Sequence, residues 1–339
     1  MAQMNMVAWK EKLLASSRRE AIPIMTHPGI ELLGKNVRDA VTDGRVQFEA
    51  VRTLARSFPA AAATMMMDLS VEAEAFGSPV RFADDEVPTV HARIIETAED
   101  VERLKVPTMQ SGRVQQYLLA ARLVAANIAD RPVLGGCIGP FSLAGRLFDM
   151  TEIMTALLTE PDTVHMLLEK CTQFLLAYAG ELKRQGVNGI VIAEPAAGVL
   201  SPEDCMAFSS AYVRRIVEAL QDDSFMVVLH NCGARESLVL AMLSAGAAGF
   251  HFGNVIDITV PLSLIPQDRL VMGNIDPVRT LKMSSPDLLR TSVLELLGKT
   301  KGYRNYVLST GCDAPPGVPT ENVNMFYEAL AAFNEGETD

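Results

Sequence analysis

Eight short apolar runs alternate with helix-length segments along this chain, and this alternation constrains the fold more than any other feature. The runs have the length and the β-branched content of buried strands. In chain order they are Ile22–Thr26, Thr64–Asp68, Pro132–Gly136, Gly189–Ala193, Met226–His230, Gly249–Phe252, Leu270–Gly273 and Tyr306–Thr310. Strands that alternate with helices form parallel sheets, and eight such units predict an α/β fold that closes into a (β/α)8 TIM barrel.

Segments with helical periodicity fill the gaps between these strands. They are Arg45–Phe58, Glu152–Gln185, Pro202–Leu220, Arg235–Ala245, Ser285–Gly298 and, after the last strand, Thr320–Asn334. Two of these segments start at a serine that precedes a proline and an acidic residue, which is a typical helix start. Capping residues therefore support the predicted helices independently of periodicity.

Two segments lie outside the regular alternation. The first 20 residues are amphipathic and have no signal peptide's apolar block, so they predict an N-terminal helical extension. The stretch from Leu69 to Asp130 is too long for a simple crossover, and we expect it to form an insertion between strands 2 and 3 that covers the catalytic rim. Because no repeat or composition break divides the chain, we expect one domain over residues 1–339.

Composition excludes several classes of function. The net charge is −11, from 30 basic and 41 acidic residues, which opposes binding to nucleic acid. No apolar run approaches the roughly 18 residues of a membrane span. The five cysteines have no paired spacing, so they predict reduced thiols in a cytoplasmic protein rather than a disulfide framework.

Polar side chains stand at the carboxyl end of every predicted strand, which is where active sites of such barrels lie. They are His27, Asp68, Cys137, Glu194, His230 with Cys232, His251, Asn274 with Asp276, and Cys312 with Asp313. Cys137 has glycines close on both sides, and we interpret it as a site of tight backbone packing. The other positions are candidates for a functional site.

Three of these residues form the donor set of a metal site. His230 and Cys232 are two positions apart at a strand end, so their side chains point to the same face. Cys312 ends the last strand, and a barrel would return it to the same rim. One imidazole and two thiolates leave one tetrahedral position of Zn²⁺ open, as in catalytic sites. The alternative is that the cysteines are buried structural residues. Two observations favour metal: Cys312 lies at a second strand end, and each cysteine has a glycine beside it.

A zinc ion with two thiolate ligands suits a particular chemistry. Soft thiols are its natural substrates, and the metal can deprotonate a bound thiol at neutral pH. The resulting thiolate is a nucleophile suited to an electrophilic methyl group. Hydrolysis by zinc-bound hydroxide is a further use of such a metal, although harder ligands are more usual there.

The runs HNCG, HFGNVIDI, MGNIDP and LSTGCDAPP, together with Met67–Ser70 and Glu72–Gly77, resemble the uroporphyrinogen decarboxylase superfamily in its corrinoid-linked methyltransferase branch. The resemblance covers nearly the whole chain. It implies that His230, Cys232 and Cys312 hold zinc. It also implies that a methyl group passes from a methylated corrinoid, carried on a separate corrinoid protein, to a small thiol such as coenzyme M. Decarboxylase relatives form dimers, which makes a homodimer a candidate assembly.

The resemblance leaves several roles open. His251 stands near the place where some coenzyme M enzymes have a glutamate ligand, so His251 and Glu194 are candidates for a fourth ligand or a substrate contact. The alternatives are a satisfied rim histidine and a helix-capping carboxylate. Asp68 matches the key aspartate of the decarboxylases. Asn274 and Asp276 lie in a family motif, where they either contact substrate or shape the loop.

Two other functions remain as alternatives. One is a metal-free uroporphyrinogen decarboxylase, which is disfavoured because the stretch Ile24–Gly29 lacks that enzyme's arginine-rich motif. The other is a barrel that binds a corrinoid, a thiol or zinc without turnover. The sequence defines neither the methyl acceptor nor the upstream methyl donor.

Overall fold

Seven strands lie side by side and run in the same direction. The computed structural model describes residues 4–336. Within them the strands are β1 (Ala63–Thr64), β2 (Val80–Arg81), β3 (Thr89–Val90), β4 (Val133–Ile138), β5 (Gly189–Ala193), β6 (Met226–Asn231), β7 (Gly249–Phe252), β8 (Leu270–Ile275) and β9 (Tyr306–Thr310). The curled main sheet has the order β1-β4-β5-β6-β7-β8-β9, and β2 and β3 form a separate hairpin. All neighbours in the main sheet are parallel, so their carboxyl ends meet at one edge.

Helices precede β1, connect successive strands of the main sheet and follow β9. They are α1 (Met6–Ala15), α2 (His27–Leu32), α3 (Val37–Thr42), α4 (Gly44–Ser57), α5 (Val71–Ala75), α6 (Ala98–Arg103), α7 (Val114–Asn127), α8 (Pro140–Phe148), α9 (Met150–Thr159), α10 (Pro161–Arg184), α11 (Pro202–Cys205), α12 (Ala211–Leu220), α13 (Val239–Leu243), α14 (Thr259–Leu264), α15 (Pro286–Lys299) and α16 (Thr320–Glu335). Short 3₁₀ helices cover Pro195–Val199 and Glu236–Leu238, and single π-helical turns cover Met206–Ser210 and Pro277–Lys282. Among residues 4–336, no helix combines the length and apolar character that crossing a bilayer requires.

The first predicted strand, Ile22–Thr26, is not a regular strand. Only Ala21 forms a bridge, to Leu308 of β9, although the Ala21 carbonyl also accepts a hydrogen bond from the Ala61 amide just before β1. Pro23 has no N–H to donate towards β1, and on the β9 side the Ile24 amide donates to Thr310 Oγ1 instead of a backbone carbonyl, so neither ladder continues. The extended segment 20–24 therefore lies between β9 and β1 without joining the sheet as an eighth strand.

Two further predictions of element length differ from the structure. The second predicted strand, Thr64–Asp68, pairs only through Ala63–Thr64. The predicted helix Glu152–Gln185 is divided into α9 and α10, because Glu160 leaves the helical conformation (φ −142°, ψ 54°) and Pro161 starts a new helix. The remaining strands lie within two or three residues of their predicted positions.

An apolar cluster lies on the inner side of the curled sheet, near the amino ends of its strands. Its buried members are Met6, Ile22, Ile24, Ala62, Leu134, Val191, Met226, Val228, Ala248, Leu270, Met272 and Val307. Helix α1 covers this cluster, and the Met6 amide and Lys10 Nζ donate to the carbonyls of Asp223 and Asp268, which lie before β6 and β8. The predicted N-terminal helix is thus present, and it closes the end of the sheet opposite to the carboxyl ends.

Strand alternation decides which side chains lie on the inner side of the sheet. In β6, Met226 and Val228 belong to the inner cluster, whereas Val227 and Leu229 belong to the larger outer core between sheet and helices. The period of two places His230 on the inner side. The same rule places His251 of β7 and Ser309 of β9 on that side.

The chain between β1 and β4 contains more than a crossover helix. Helix α7 packs on α4 as an outer helix, whereas α5, the β2–β3 hairpin and α6 come before it. Arg113, at the start of α7, donates a hydrogen bond to Asp68 beyond the end of β1. This segment therefore reaches the edge of the sheet that carries the strand ends.

Candidate metal centre

His230, Cys232 and Cys312 converge at the carboxyl ends of β6 and β9. One ligand atom from each lies within 4.8 Å of the other two, and His230 Nε2 is 3.7 Å from Cys312 Sγ. His230 is buried, and both cysteines are partly buried. A nitrogen and two sulfurs at this spacing are a donor set that fits Zn²⁺, since thiolate and imidazole are its preferred ligands. The residues could hold a metal and leave one position for another ligand.

Two glycines allow the chain to pass close to the cysteines. A Cβ on Gly253, after β7, would lie 2.1 Å from the carbonyl oxygen of Cys232. A Cβ on Gly311 would lie 2.7 Å from the amide nitrogen of Asn254. Both contacts are shorter than any side chain tolerates, so the two glycines are required for the loop after β7 to pack against both thiol-bearing segments.

The two thiols interact directly. A hydrogen bond from Cys312 lowers the pKa of the Cys232 thiol to about 4, and the same pairing raises that of Cys312. The pair therefore loses its first proton more readily than its second. Pairs of this kind need a cation to become doubly deprotonated, which is consistent with the metal-ligand role.

His251 touches His230 but does not offer a free nitrogen. Its Nδ1 is 2.8 Å from Nδ1 of His230, and its Nε2 is 2.8 Å from Ser309 Oγ. Burial, followed by the charge of the neighbouring His230, lowers the pKa of His251 well below the usual range. Because both nitrogens are engaged, the geometry opposes His251 as a fourth ligand and agrees with the alternative of a satisfied histidine.

Glu194 turns away from the three metal-ligand candidates. Its Oε1 accepts the amide of Ser142 at 2.9 Å, its Oε2 accepts Ser209 Oγ at 2.9 Å, and its side chain lies against Gly139. Ser142 is in the first turn of α8, which has no side-chain cap of its own. Burial raises the pKa of Glu194 to about 7. The carboxyl group thus caps a helix, which is the alternative role that the sequence left open.

Asp68 is enclosed by hydrogen-bond donors. Its Oδ1 accepts from the amide and hydroxyl of Ser70, and its Oδ2 accepts from Arg113 and from Tyr117 at 2.7 Å. Arg113 also binds Glu74. The side chain of Asp68 is 0% exposed, so this geometry provides a buried structural network and leaves no lone pair directed at a substrate.

Asn274 and Asp276 shape the loops around the metal-ligand candidates. Asn274 Nδ2 donates to the carbonyls of Gly253 and Ile256. Asp276 Oδ1 accepts the amides of Val278 and Arg279 and thereby caps the π-helical turn, while its Oδ2 accepts Asn254 Nδ2. Both residues hold the loop after β7 in place.

Two more strand-end residues lie beside Cys312. His27 Nε2 is 3.5 Å from Asp313 Oδ2, and although burial opposes it, Asp313 raises the pKa of His27.

Cys137 is buried and its pKa is raised well above the usual value, as expected for a packing residue.

Sequence reasoning missed Ser309, Arg113 and Tyr117. Ser309 is two positions after Val307 in a predicted strand, so strand periodicity could have placed it on the inner side. Arg113 and Tyr117 belong to the segment between β1 and β4, and no local pattern connects them with Asp68. Their partnership depends on tertiary contacts.

Comparison with known proteins agrees with this architecture. A family model described as uroporphyrinogen decarboxylase (URO-D) matches residues 15–333. The chain is 28% identical over 301 residues to the methylcobamide:CoM methyltransferase MtbA of Methanosarcina acetivorans, covering 85% of this chain and 81% of that protein. It is 27% identical over 286 residues to a uroporphyrinogen decarboxylase of Vibrio campbellii, covering 81% and 79%.

A solved structure described as a methyltransferase from Methanosarcina mazei has the same fold. It matches with a TM-score of 0.87 at 21% identity and covers 98% of this chain and 99% of the other. Residues 15–333, which the family model matches, include all of the main sheet and the strand ends described above. This chain belongs to the uroporphyrinogen decarboxylase family, as its sequence motifs predict.

Proposed function

We propose that this protein is a zinc-dependent methyltransferase that moves a methyl group from a methylated corrinoid, carried by a separate protein, to a small thiol such as coenzyme M. The convergence of His230, Cys232 and Cys312 is the observation that carries the proposal. Similarity to a methylcobamide:CoM methyltransferase supports the reaction class. We place the protein in the cytoplasm, where its five free thiols would stay reduced.

In this proposal each residue of the triad has a defined task. His230 Nε2 and the sulfurs of Cys232 and Cys312 bind Zn²⁺. When bound, the ion supplies Lewis acidity that keeps a substrate thiol deprotonated at neutral pH. The loop after β7, held by Asn274 and Asp276, keeps both cysteines in place. The open edge of strand ends would receive the corrinoid and the thiol from solvent.

We also propose that the seven strands and segment 20–24 together form a closed barrel in a single domain over residues 1–339. Ile22 and Ile24 contribute to the inner cluster as the strands do, which supports closure. In this arrangement the segment between β1 and β4 is an insertion at the rim.

Decarboxylation is the alternative reaction, and the chain also resembles a decarboxylase. A catalytic aspartate in that reaction needs lone pairs directed at the substrate, whereas those of Asp68 accept hydrogen bonds from Arg113, Tyr117 and Ser70. This geometry favours methyl transfer.

Zinc content and methyl transfer test the proposal together. We expect metal analysis to find about one zinc per chain. We also expect 2-mercaptoethanesulfonate or another thiol to remove the methyl group from methylcobalamin, which a change in cobalamin absorbance would show. Cys232→Ser and Cys312→Ser should lose both, whereas Cys205→Ala, which changes a buried cysteine outside the cluster, should retain both.

Each alternative gives a different result. Protein that takes up no zinc even on titration would contradict the proposal. Bound zinc without demethylation for any thiol would identify a binding protein, and formation of coproporphyrinogen without metal would identify a decarboxylase.

A further inference from the structure

A chain of three hydrogen bonds leads from His230 into the protein interior. His230 Nδ1 is 2.8 Å from His251 Nδ1, and His251 Nε2 is 2.8 Å from Ser309 Oγ. Ser309 Oγ in turn donates to the carbonyl oxygen of Ile22 at 2.8 Å. These four residues are at most 3% exposed, so water does not compete for any of the contacts.

The carbonyl of Ile22 fixes the direction of the outermost bond. Among residues 4–336, Ser309 Oγ is the one donor that reaches this oxygen. A regular parallel ladder would have provided a backbone donor, but segment 20–24 does not form one. A buried carbonyl without a partner costs about 1–3 kcal/mol. The single hydroxyl proton of Ser309 is therefore committed to Ile22.

The directions of the other two bonds follow from donor and acceptor counting. Since the proton of Ser309 is used, its oxygen accepts from His251, so His251 is protonated at Nε2. His251 is 1% exposed and its side-chain partners are an imidazole and a hydroxyl rather than an acid, so burial favours the uncharged ring, whose Nδ1 lone pair accepts the Nδ1 proton of His230. The Nδ1 of His230 is thereby committed as a donor, and Nε2, the atom that lies 3.7 Å from Cys312 Sγ, is the ring nitrogen left for a metal.

The opposite arrangement has two defects. If Ser309 donated to His251, the Ile22 carbonyl would lose its donor. The Nδ1 proton would then belong to His251, and His230 would carry its proton on Nε2, the atom that faces the two thiols. That tautomer of His230 cannot bind a metal at Nε2.

We propose that His251 and Ser309 are positioning residues that hold His230 in its metal-binding tautomer, with the Ile22 carbonyl as the fixed end of the chain. We call this chain of three hydrogen bonds the relay, and its purpose depends on the proposed zinc site. The proton on Nδ1 of His230 and the proton on Nε2 of His251 are properties of the metal-free protein. Partners of this kind usually change metal affinity by about 10- to 100-fold.

Two substitutions at His251 separate hydrogen bonding from packing. His251→Asn retains an acceptor at the position of Nδ1, whereas His251→Leu has similar bulk and no acceptor. We expect His251→Leu to bind zinc about 10- to 100-fold more weakly than the wild type in competition with a chromophoric chelator. We expect His251→Asn to recover most of this loss. Thermal unfolding would establish that both variants are folded.

A matched pair on β9 tests the other end of the relay. Ser309→Ala removes the hydroxyl that joins His251 to Ile22. Thr310→Val removes the neighbouring buried hydroxyl, which contacts the backbone of Ile24 and is not part of the relay. Zinc affinity should fall for Ser309→Ala and remain at the wild-type value for Thr310→Val.

The tautomers can be observed directly in the metal-free protein. Long-range ¹H–¹⁵N correlation with labelled histidine should show the proton of His230 on Nδ1 and that of His251 on Nε2, and Ser309→Ala should disturb both. A wild-type His230 with no proton on Nδ1, or wild-type zinc affinity in His251→Leu, would overturn the inference. If the wild type bound no zinc, the proposed function would fail, while the spectra would still decide the relay separately.

Discussion

Gly253→Ala should weaken metal binding although it removes no ligand. The added Cβ would lie 2.1 Å from the carbonyl oxygen of Cys232, whereas ordinary contacts are 3.4–4 Å. The distance between this Cβ and the carbonyl oxygen must therefore increase by at least about 1.3 Å, which requires one backbone segment to move away from the other. Metal sites hold their ligands within about 0.2 Å of the preferred distances. The displacement is several times this tolerance.

The expected magnitude follows from the cost of overpacking. An extra methyl group in a packed site costs about 1–3 kcal/mol. If Cys232 moves to relieve the contact, zinc binding must restore the strained position, so affinity should fall by roughly 5- to 150-fold. Gly253 does not have a left-handed backbone conformation, so the effect comes from the contact and not from φ.

Chelator competition would measure this effect against a matched control. Gly302→Ala is the control, because a Cβ at that position meets nothing within 4 Å. Zinc affinity of Gly253→Ala within about twofold of the control would refute the reasoning, since the close approach of the loop would then not determine the position of Cys232.

Two predictions concern buried charges in the segment after β1. Burial raises the pKa of Glu72 to about 7, so the fold favours its neutral form, and the free energy of unfolding should fall by up to about 3 kcal/mol between pH 4.5 and 7 and then level off. In Glu72→Gln this part of the pH dependence should be absent in denaturant titrations at pH 5 and pH 8; an unchanged difference between the two pH values would contradict it. Arg113→Met leaves Asp68 buried without its cation and should cost about 3–5 kcal/mol, whereas Arg215→Met, at an exposed ion pair, should cost less than about 1 kcal/mol. Equal unfolding midpoints for the two variants would show that the Asp68 network is not stabilising.

Local patterns in the sequence were sufficient to predict most of the sheet and the three ligand candidates. Parallel strands place their carboxyl ends at one edge, and a period of two places His230 and Cys232 on the same side, so these predictions depend on backbone geometry alone. The family was predicted from motifs and is confirmed. Segment 20–24 was the exception, since Pro23 interrupts the ladder that its apolar neighbours favour.

The roles of the other strand-end residues were decided by tertiary contacts. The sequence places Asp68, Glu194 and His251 at the same edge as the triad, but it does not specify where their lone pairs point. The structure directs Asp68 to Arg113, Glu194 to the start of α8, and His251 to Ser309.

What the sequence determined by itself is the alternation of strands and helices and the presence of a histidine and two cysteines at strand ends, because both depend on short-range periodicity. Only the tertiary structure brought Cys312 within 4.8 Å of the other two ligand atoms and connected His230 through His251 and Ser309 to Ile22. These contacts join residues far apart in the chain. Their geometry depends on packing and on the hydrogen-bond requirements of buried groups, which no local pattern encodes.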